Sequence, residues 1–186
     1  MPNVNSLRRI DERIQFLTDQ EKEIKQDIVT LLEEHPDLLE RVKNIFTIPG
    51  VGELTAVIVL AETNGFDLIR NKKQLTSYAG FDVKEKQSGT SIKGKPRISK
   101  RGNRHLRKSM HLPSLSAVKY NENHKNMYAR IVSKSGIKMK ALIAVQRKLL
   151  ELIYVIDNSK DGYQEDYQQK KDTMHECKSY PLQTSM

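Results

Sequence analysis

Near the start of the chain apolar residues return at alternating intervals of three and four: Leu7, Ile10, Ile14, Leu17, Ile24, Ile28 and Leu31, with Glu21 alone breaking the series. That spacing is the seam of a coiled coil and predicts one long helix over roughly residues 5–34. Arg8, Arg9, Glu12, Glu23 and Lys25 fall on the other faces, so the apolar stripe is narrow and wants a partner helix. The expected partner is a second copy of the chain; packing on the chain's own later helices is the alternative. Glu21 would cost such a seam stability while helping to fix its register.

Pro36 suits the first turn of a helix and not its interior, so one helix stops and a second starts there, with Leu38, Leu39, Val42 and Ile45 as its apolar face. The stretch "IFTIPGVGELTAVIVLAE" then predicts a helix ending near Phe46, a tight turn over Ile48–Gly52, and an apolar helix from about Glu53. This is the pattern of a helix-hairpin-helix. Gly50 and Gly52 let such a turn approach a ligand closely, and the unpaired N–H groups at the new helix start can bind a phosphate oxygen. Glu53 suits the helix dipole but would repel phosphate, so a plain helical hairpin used for packing is the rival reading.

Further along, a short helix is expected around Lys73 to Ala79, followed by a loop opened by Gly80. Asn103 is a candidate N-cap for "RHLRKSMHLPSLSAVKY", with Leu106, Met110, Leu115 and Val118 as candidate buried positions and Pro113 kinking or dividing the helix. A last helix, "IKMKALIAVQRKLLELIYVIDN", offers Ala141, Val145, Leu149, Leu152 and Ile156 and is expected to pack against the hairpin. The fold class is therefore mainly α: an arm over 1–36, a compact helical domain over 37–158, and a polar, disordered tail over 159–186.

Charge adds a function class. The chain has 186 residues and a formal net charge of +9, which favours a polyanionic partner. No run approaches the eighteen or so apolar residues of a spanning helix, and the N-terminus lacks a signal-peptide core, so no membrane partner and a cytoplasmic location are expected. Cys177 is the single cysteine, leaving no intrachain disulfide and no cysteine-based zinc site. The excess charge concentrates in one place. From Lys84 to Lys108, ten of twenty-five residues are Lys or Arg, Glu85 is the only acid, and no Phe, Tyr or Trp is present. Its first half, rich in Gly, Ser, Thr and Pro, reads as a loop or short hairpin; the absence of stacking aromatics argues against an RNA-binding protein. Lys93, Lys95, Arg97, Lys100, Arg101, Arg104 and Arg107 are candidate phosphate contacts, a solvated charged face being the alternative. His105 is as easily a surface residue as a DNA contact.

Taken together, "IPGVGELTAVIVLAE", "YAGF", "KQSG", "ISKRGNRHLRK", "LPSLSAVKYN" and "KALIAVQRKLLELIY" resemble, in that order and spacing from about Leu38 to Ile156, the C-terminal half of the bridge-RNA-guided insertion-sequence transposases related to the Piv DNA invertase. The resemblance implies a divided active site. Family members carry an N-terminal RNase H-like domain with an Asp-Glu-Asp-Asp set for Mg2+, a coiled coil used in dimerisation, and a C-terminal domain whose serine attacks a DNA phosphodiester. No acidic domain stands ahead of the arm in this chain, which therefore looks like a truncated transposase, an expressed fragment or a remnant reading frame.

By the same resemblance the nucleophile is the serine of the Ser88–Gly89 pair, with Ser91 and Ser99 as competing positions. Gly89 leaves room for a DNA backbone, and the lysines and arginines after it suit the charge of a phosphate under attack. A serine hydroxyl also needs a base or metal, and none lies beside Ser88 in sequence; in the family the help comes from the Mg2+ site. Two functions follow as expectations. One is a DNA-binding, serine-supplying part of a transposase, with DNA, a guide RNA and a second copy of the chain as partners. The alternative is a non-catalytic, dimeric nucleic-acid-binding remnant.

Overall fold

In a computed structural model, residues 4–84, 87–88, 92–93 and 97–164 are described. The chain is mainly α and divides into two compact units, Met1–Arg41 and Val42–Met186. The first is dominated by α1 (Val4–Glu34), and α2 (Pro36–Phe46) begins with its proline at the first helical position, where no N–H is required. Along α1 the charged faces pair within the helix, Arg8 with Glu12 at 3.4 Å and Lys25 with Glu21 at 2.6 Å. The Lys25 hydrogen bond and charge hold the Glu21 carboxyl below its ordinary pKa.

The second unit contains α3 (Glu53–Glu62), α4 (Lys72–Tyr78), two short antiparallel strand pairs, α5 (Arg104–Ser109), α6 (His111–Tyr120), α7 (Glu122–Ser135) and α8 (Lys138–Ser159). Its core gathers Ile45, Ile48, Val59, Leu75, Phe81 and Leu106 with Val145, Leu149 and Ile153 of α8, all buried. Fully burying a side chain of this size contributes roughly 1.5–3 kcal/mol. Edge-on packing of Phe66 against Tyr154, with ring centroids 5.3 Å apart, extends the core, and the Tyr154 hydroxyl donates to Ile69 O.

Pro113 divides its helix, as one of the two expected outcomes. Its ring and missing N–H fall opposite the carbonyl of Ser109, the last residue of α5, and the chain restarts at His111. The restart shifts the helical phase. Pro113, Ser114 and Ala117 face inward, so Leu115 is 47% exposed and Val118 only half-buried, against the expectation, while Leu106 and Met110 are buried as expected. On α8 the buried face runs through Leu149, Leu150 and Ile153, leaving Leu152 half-buried. The principal neighbours of α8 are α7, α6 and α4 in place of the α2–α3 pair. Helix α7 has no counterpart among the elements expected from the hydrophobic pattern. Its buried positions include Asn121 and His124, which break the apolar stripe, although its Asn121 N-cap and the left-handed Gly136 at its end are readable signals.

The 48–52 turn is pressed against α6. Gly50 has φ +94°, and a Cβ there would lie 2.5 Å from the backbone nitrogen of Ala117. Beyond α8 the chain remains bonded as far as Tyr163, whose N–H donates to Thr47 Oγ1 and whose hydroxyl accepts from Asn121 Nδ2. Asn44 Nδ2 donates to Lys160 O beside it. The expected boundary at 158/159 thus falls in the last turn of α8, and residues 165–186 of the expected tail lie outside the described residues.

His124 is 6% exposed and neither ring nitrogen has a hydrogen-bond partner among the described residues. Burial, with the charge of Lys148 adding to it, pushes its pKa below the ordinary 6.5. The folded state therefore favours the neutral ring, and the unfolded chain takes the proton more readily. Stability from this group is complete above pH 6.5 and declines as pH falls from there toward the lowered folded value. Urea titrations should give a lower midpoint at about pH 5.5 than at about pH 7.5, and His124→Leu should shrink that difference. An unchanged difference in the variant would remove His124 as its source.

Candidate nucleic-acid interface

The basic segment is held by the end of α4. Gly80 (φ +73°) terminates that helix in a left-handed turn in which Gly80 N–H donates to Ser77 O and Phe81 N–H to Thr76 O, with Phe81 buried behind it. Two strand pairs follow. β1 (Val83–Lys84) pairs antiparallel with β4 (Arg97–Ile98), and β2 (Gln87–Ser88) with β3 (Ile92–Lys93). The hairpin alternative for this stretch is the one adopted.

From β4 the chain folds back onto the end of α4 through a ladder of bonds. Ser99 N–H donates to Asp82 O at 2.7 Å, Lys100 N–H to Gly80 O at 3.1 Å, and Asn103 N–H to Tyr78 O at 2.7 Å. The Ser99 hydroxyl donates to the Asp82 carboxylate and accepts from Arg101 N–H. Gly102 (φ +149°) lies so close to α4 that a Cβ would sit 2.3 Å from Tyr78 O and 2.8 Å from Gly80 N. Asn103 caps α5 by accepting from Leu106 N–H, as expected, and its amide also donates to Glu62 Oε2 at 2.6 Å, tying the turn to the end of α3.

This frame sorts the candidate residues. Arg97, Lys100, Arg101 and Arg104 are exposed, as are Lys84, His105 and Lys108. None of the six lysines and arginines in that set forms an ion pair with another described residue. Lys100 takes φ +54°, uncommon for a residue with a side chain. Arg107 is different. It is half-buried and its guanidinium donates to Ala79 O at 2.8 Å, bracing α5 against the end of α4. Gly52 stands at the N-cap of α3 with open space around its Cα and no capping side chain; Gly50 sits against Ala117. Thr55 and Ala56 N–H both donate to Gly52 O, while the N–H groups of Glu53 and Leu54 have no bond partner among the described residues.

Ser88 is paired by backbone with Ile92 at the end of the β2–β3 ladder. Its side chain, that of Lys93, and residues Gly89, Ser91 and Lys95 lie outside what is described. Ser99, the competing serine, has its hydroxyl committed to Asp82 and to the Arg101 backbone. Among the described residues no group of three or more His, Cys, Asp or Glu could hold a metal ion, and no helix is long and apolar enough to cross a membrane. Sequence reasoning misses Asp82, Glu62 and Ala79 O as fixtures of the turn, because each lies well away in sequence from the residue it holds.

Comparison with known proteins gives this buttressed turn and its unpaired cations a family context. Residues 42–129, which include the 48–52 turn, both strand pairs and α5, match the model of the Transposase IS116/IS110/IS902 family. The chain is also similar to the pilin gene-inverting proteins of Moraxella bovis and Moraxella lacunata. Each is 30% identical over 148 residues, covering 78% of this chain and 46% of the relative. It is 28% identical over 138 residues to the insertion element IS110 uncharacterized 43.6 kDa protein of Streptomyces coelicolor, covering 74% of this chain and 33% of that protein. The chain thus spans less than half the length of the curated relatives it matches.

Proposed function

We propose that this chain is the DNA-handling part of an insertion-sequence transposase, able to hold DNA phosphates on the 97–108 segment and to supply Ser88 for strand exchange. The observation that carries the reading is the set of exposed, unpaired cations on a turn fixed by Ser99, Gly102 and Asn103. Cations without intramolecular acids keep their charge available for phosphate, and a rigid backbone spends little ordering entropy on contact. Such contacts position DNA without reading its sequence. The α2–turn–α3 segment acts as a helix-hairpin-helix that adds phosphate contacts through the α3 N-terminus, with Gly50 shaping the turn and Gly52 leaving its approach open.

Ser88 would attack phosphorus, forming a serine–phosphate bond as a strand oxygen leaves; the serine proton must pass to a base. With no acidic metal-binding cluster among the described residues, that base and the Mg2+ of the family resemblance belong to the acidic domain that resemblance implies. A guide RNA is carried over from the same resemblance, and α1 supplies self-association. The second reading, a nucleic-acid-binding protein that holds DNA without cutting it, rests on the same exposed cations.

Salt titration tests the binding. Neutralising about five phosphates gives a slope of about −4.5 in log affinity against log salt, so affinity should fall roughly 500-fold between about 50 and about 200 mM. Arg101→Ala with Arg104→Ala should lower the slope by about 2 without changing thermal stability. A slope near zero in the parent chain would overturn the phosphate-holding role.

A further inference from the structure

We propose that α1 pairs with α1 of a second copy in antiparallel orientation, in one register set by charge. This rests on the reading that α1 self-associates and adds its direction and alignment. The seam is open to take a partner: Ile14 is 57% and Ile24 59% exposed, and Leu7, Ile10, Leu17 and Leu31 are exposed as well. In heptad terms Leu7, Ile14, Glu21 and Ile28 occupy position a, and Ile10, Leu17, Ile24 and Leu31 position d.

A parallel pair would stack like on like. Glu21 would face the partner's Glu21 in the middle of the seam, and a buried like-charge layer disfavours the ionised form of both. Its flanking positions offer nothing in return. Arg13 would meet the partner's Thr18, Gln20 the partner's Lys25, and Asp27 the partner's Leu32, so no opposite charges meet.

The antiparallel pair reverses each of these. Aligning a with d sets Ile14 level with the partner's Ile24, Ile10 with the partner's Ile28 and Leu7 with the partner's Leu31. Glu21 then lies level with the partner's Leu17, away from its own copy and beside its own Lys25, to which it is already bonded at 2.6 Å. Flanking positions now meet e with e and g with g. Arg13 meets the partner's Asp27 and Asp11 meets the partner's Lys25, each twice by symmetry, while Thr18 and Gln20 meet their own copies at the centre. All four flanking charge contacts are between opposite signs. Within one chain Asp11, Arg13 and Asp27 form no ion pair with another described residue; the Arg13 guanidinium lies over the Phe16 ring, and Lys25, bonded to Glu21, has further N–H donors to offer the partner's Asp11. Sliding the pair by a heptad loses two apolar layers and reduces the four opposite-charge contacts to two at most, those of Arg13 with the partner's Glu34, so the same residues fix direction and register.

Two single-cysteine variants of the full chain, each carrying Cys177→Ser, test the orientation. Ser6→Cys and Gln20→Cys sit at the same heptad position. After nitroxide labelling, a parallel pair gives the same short distance at both by electron–electron resonance. The antiparallel pair gives a short distance at 20 and, with partners about 26 residues apart along the axis at 6, a separation of roughly 39 Å there. Short distances at both sites overturn the orientation while keeping self-association. No coupling at either, with a monomer mass in sedimentation, overturns self-association and this proposal together. The register is tested by Arg13→Asp, expected to weaken association about tenfold, and by adding Asp27→Arg to it, expected to restore it. Failure of the double variant to recover affinity overturns the register.

Discussion

Ser88→Ala should leave DNA affinity within about twofold and abolish strand exchange, a loss on the order of 10^4-fold or more as for other enzymes deprived of their nucleophile. Ser88 lies at the end of the β2–β3 ladder, whereas the exposed cations beyond it come from β4, the 99–103 turn and α5. Removing one hydroxyl from the first therefore costs few phosphate contacts on the second. The measurement combines this chain with the acidic metal-binding domain of the family resemblance and looks for a covalent protein–DNA adduct alongside recombined product. Ser99→Ala is the contrasting variant. It removes the bonds to Asp82 and Arg101 N–H, so it should weaken DNA binding and product formation together while the adduct still forms on Ser88. An adduct surviving in Ser88→Ala, or lost only in Ser99→Ala, would transfer the chemistry away from Ser88.

Gly102→Ala should damage the interface from the inside. The added Cβ would meet Tyr78 O at 2.3 Å, Gly80 N at 2.8 Å and Ser77 O at 3.0 Å, all backbone atoms of the helix end that holds the turn. The backbone at φ +149° is itself strained for any residue but glycine. Relief requires the turn to lift from α4, breaking the Lys100 and Asn103 bonds, at a cost of roughly 3 kcal/mol. Denaturant titration should show the loss, and DNA affinity should fall with a shallower salt slope because the cations no longer converge. Gly52→Ala is the control. No atom lies within 4 Å of its Cβ and its φ is −86°, so stability should change by less than about 0.5 kcal/mol. Equal stability of the two variants would show that the turn is not held as described.

Elements set by short-range chemistry are legible in the amino-acid sequence. The length of α1, the helix start at Pro36, the Ile48–Gly52 turn and the Asn103 cap each depend on residues within one or two turns of one another. Local pattern misleads where distant residues decide. Leu115 reads as buried when the periodicity of α5 is carried through Pro113, whereas the restart at His111 turns that side outward. Helix α7 is hidden because Asn121 and His124 occupy buried positions that an apolar pattern would fill with aliphatic side chains. At the interface, the run of cations is readable from charge alone. Arg107 counts as one of them because nothing local reveals that Ala79 O, 28 residues earlier, takes its guanidinium. The role of Ser88 rests on family resemblance.

The bonds from Tyr163 to Thr47 and Asn121 carry a consequence for how the protein acquires its shape. They join positions 116 and 42 residues apart, so they cannot form until α3 to α8 have been made and brought together. During synthesis the base of the 48–52 turn emerges early, yet the backbone that bonds to it emerges after the last helix. The segment that faces DNA in the proposed function is thus clasped only once Tyr163 has been made, and a chain interrupted within α8 would lack both bonds.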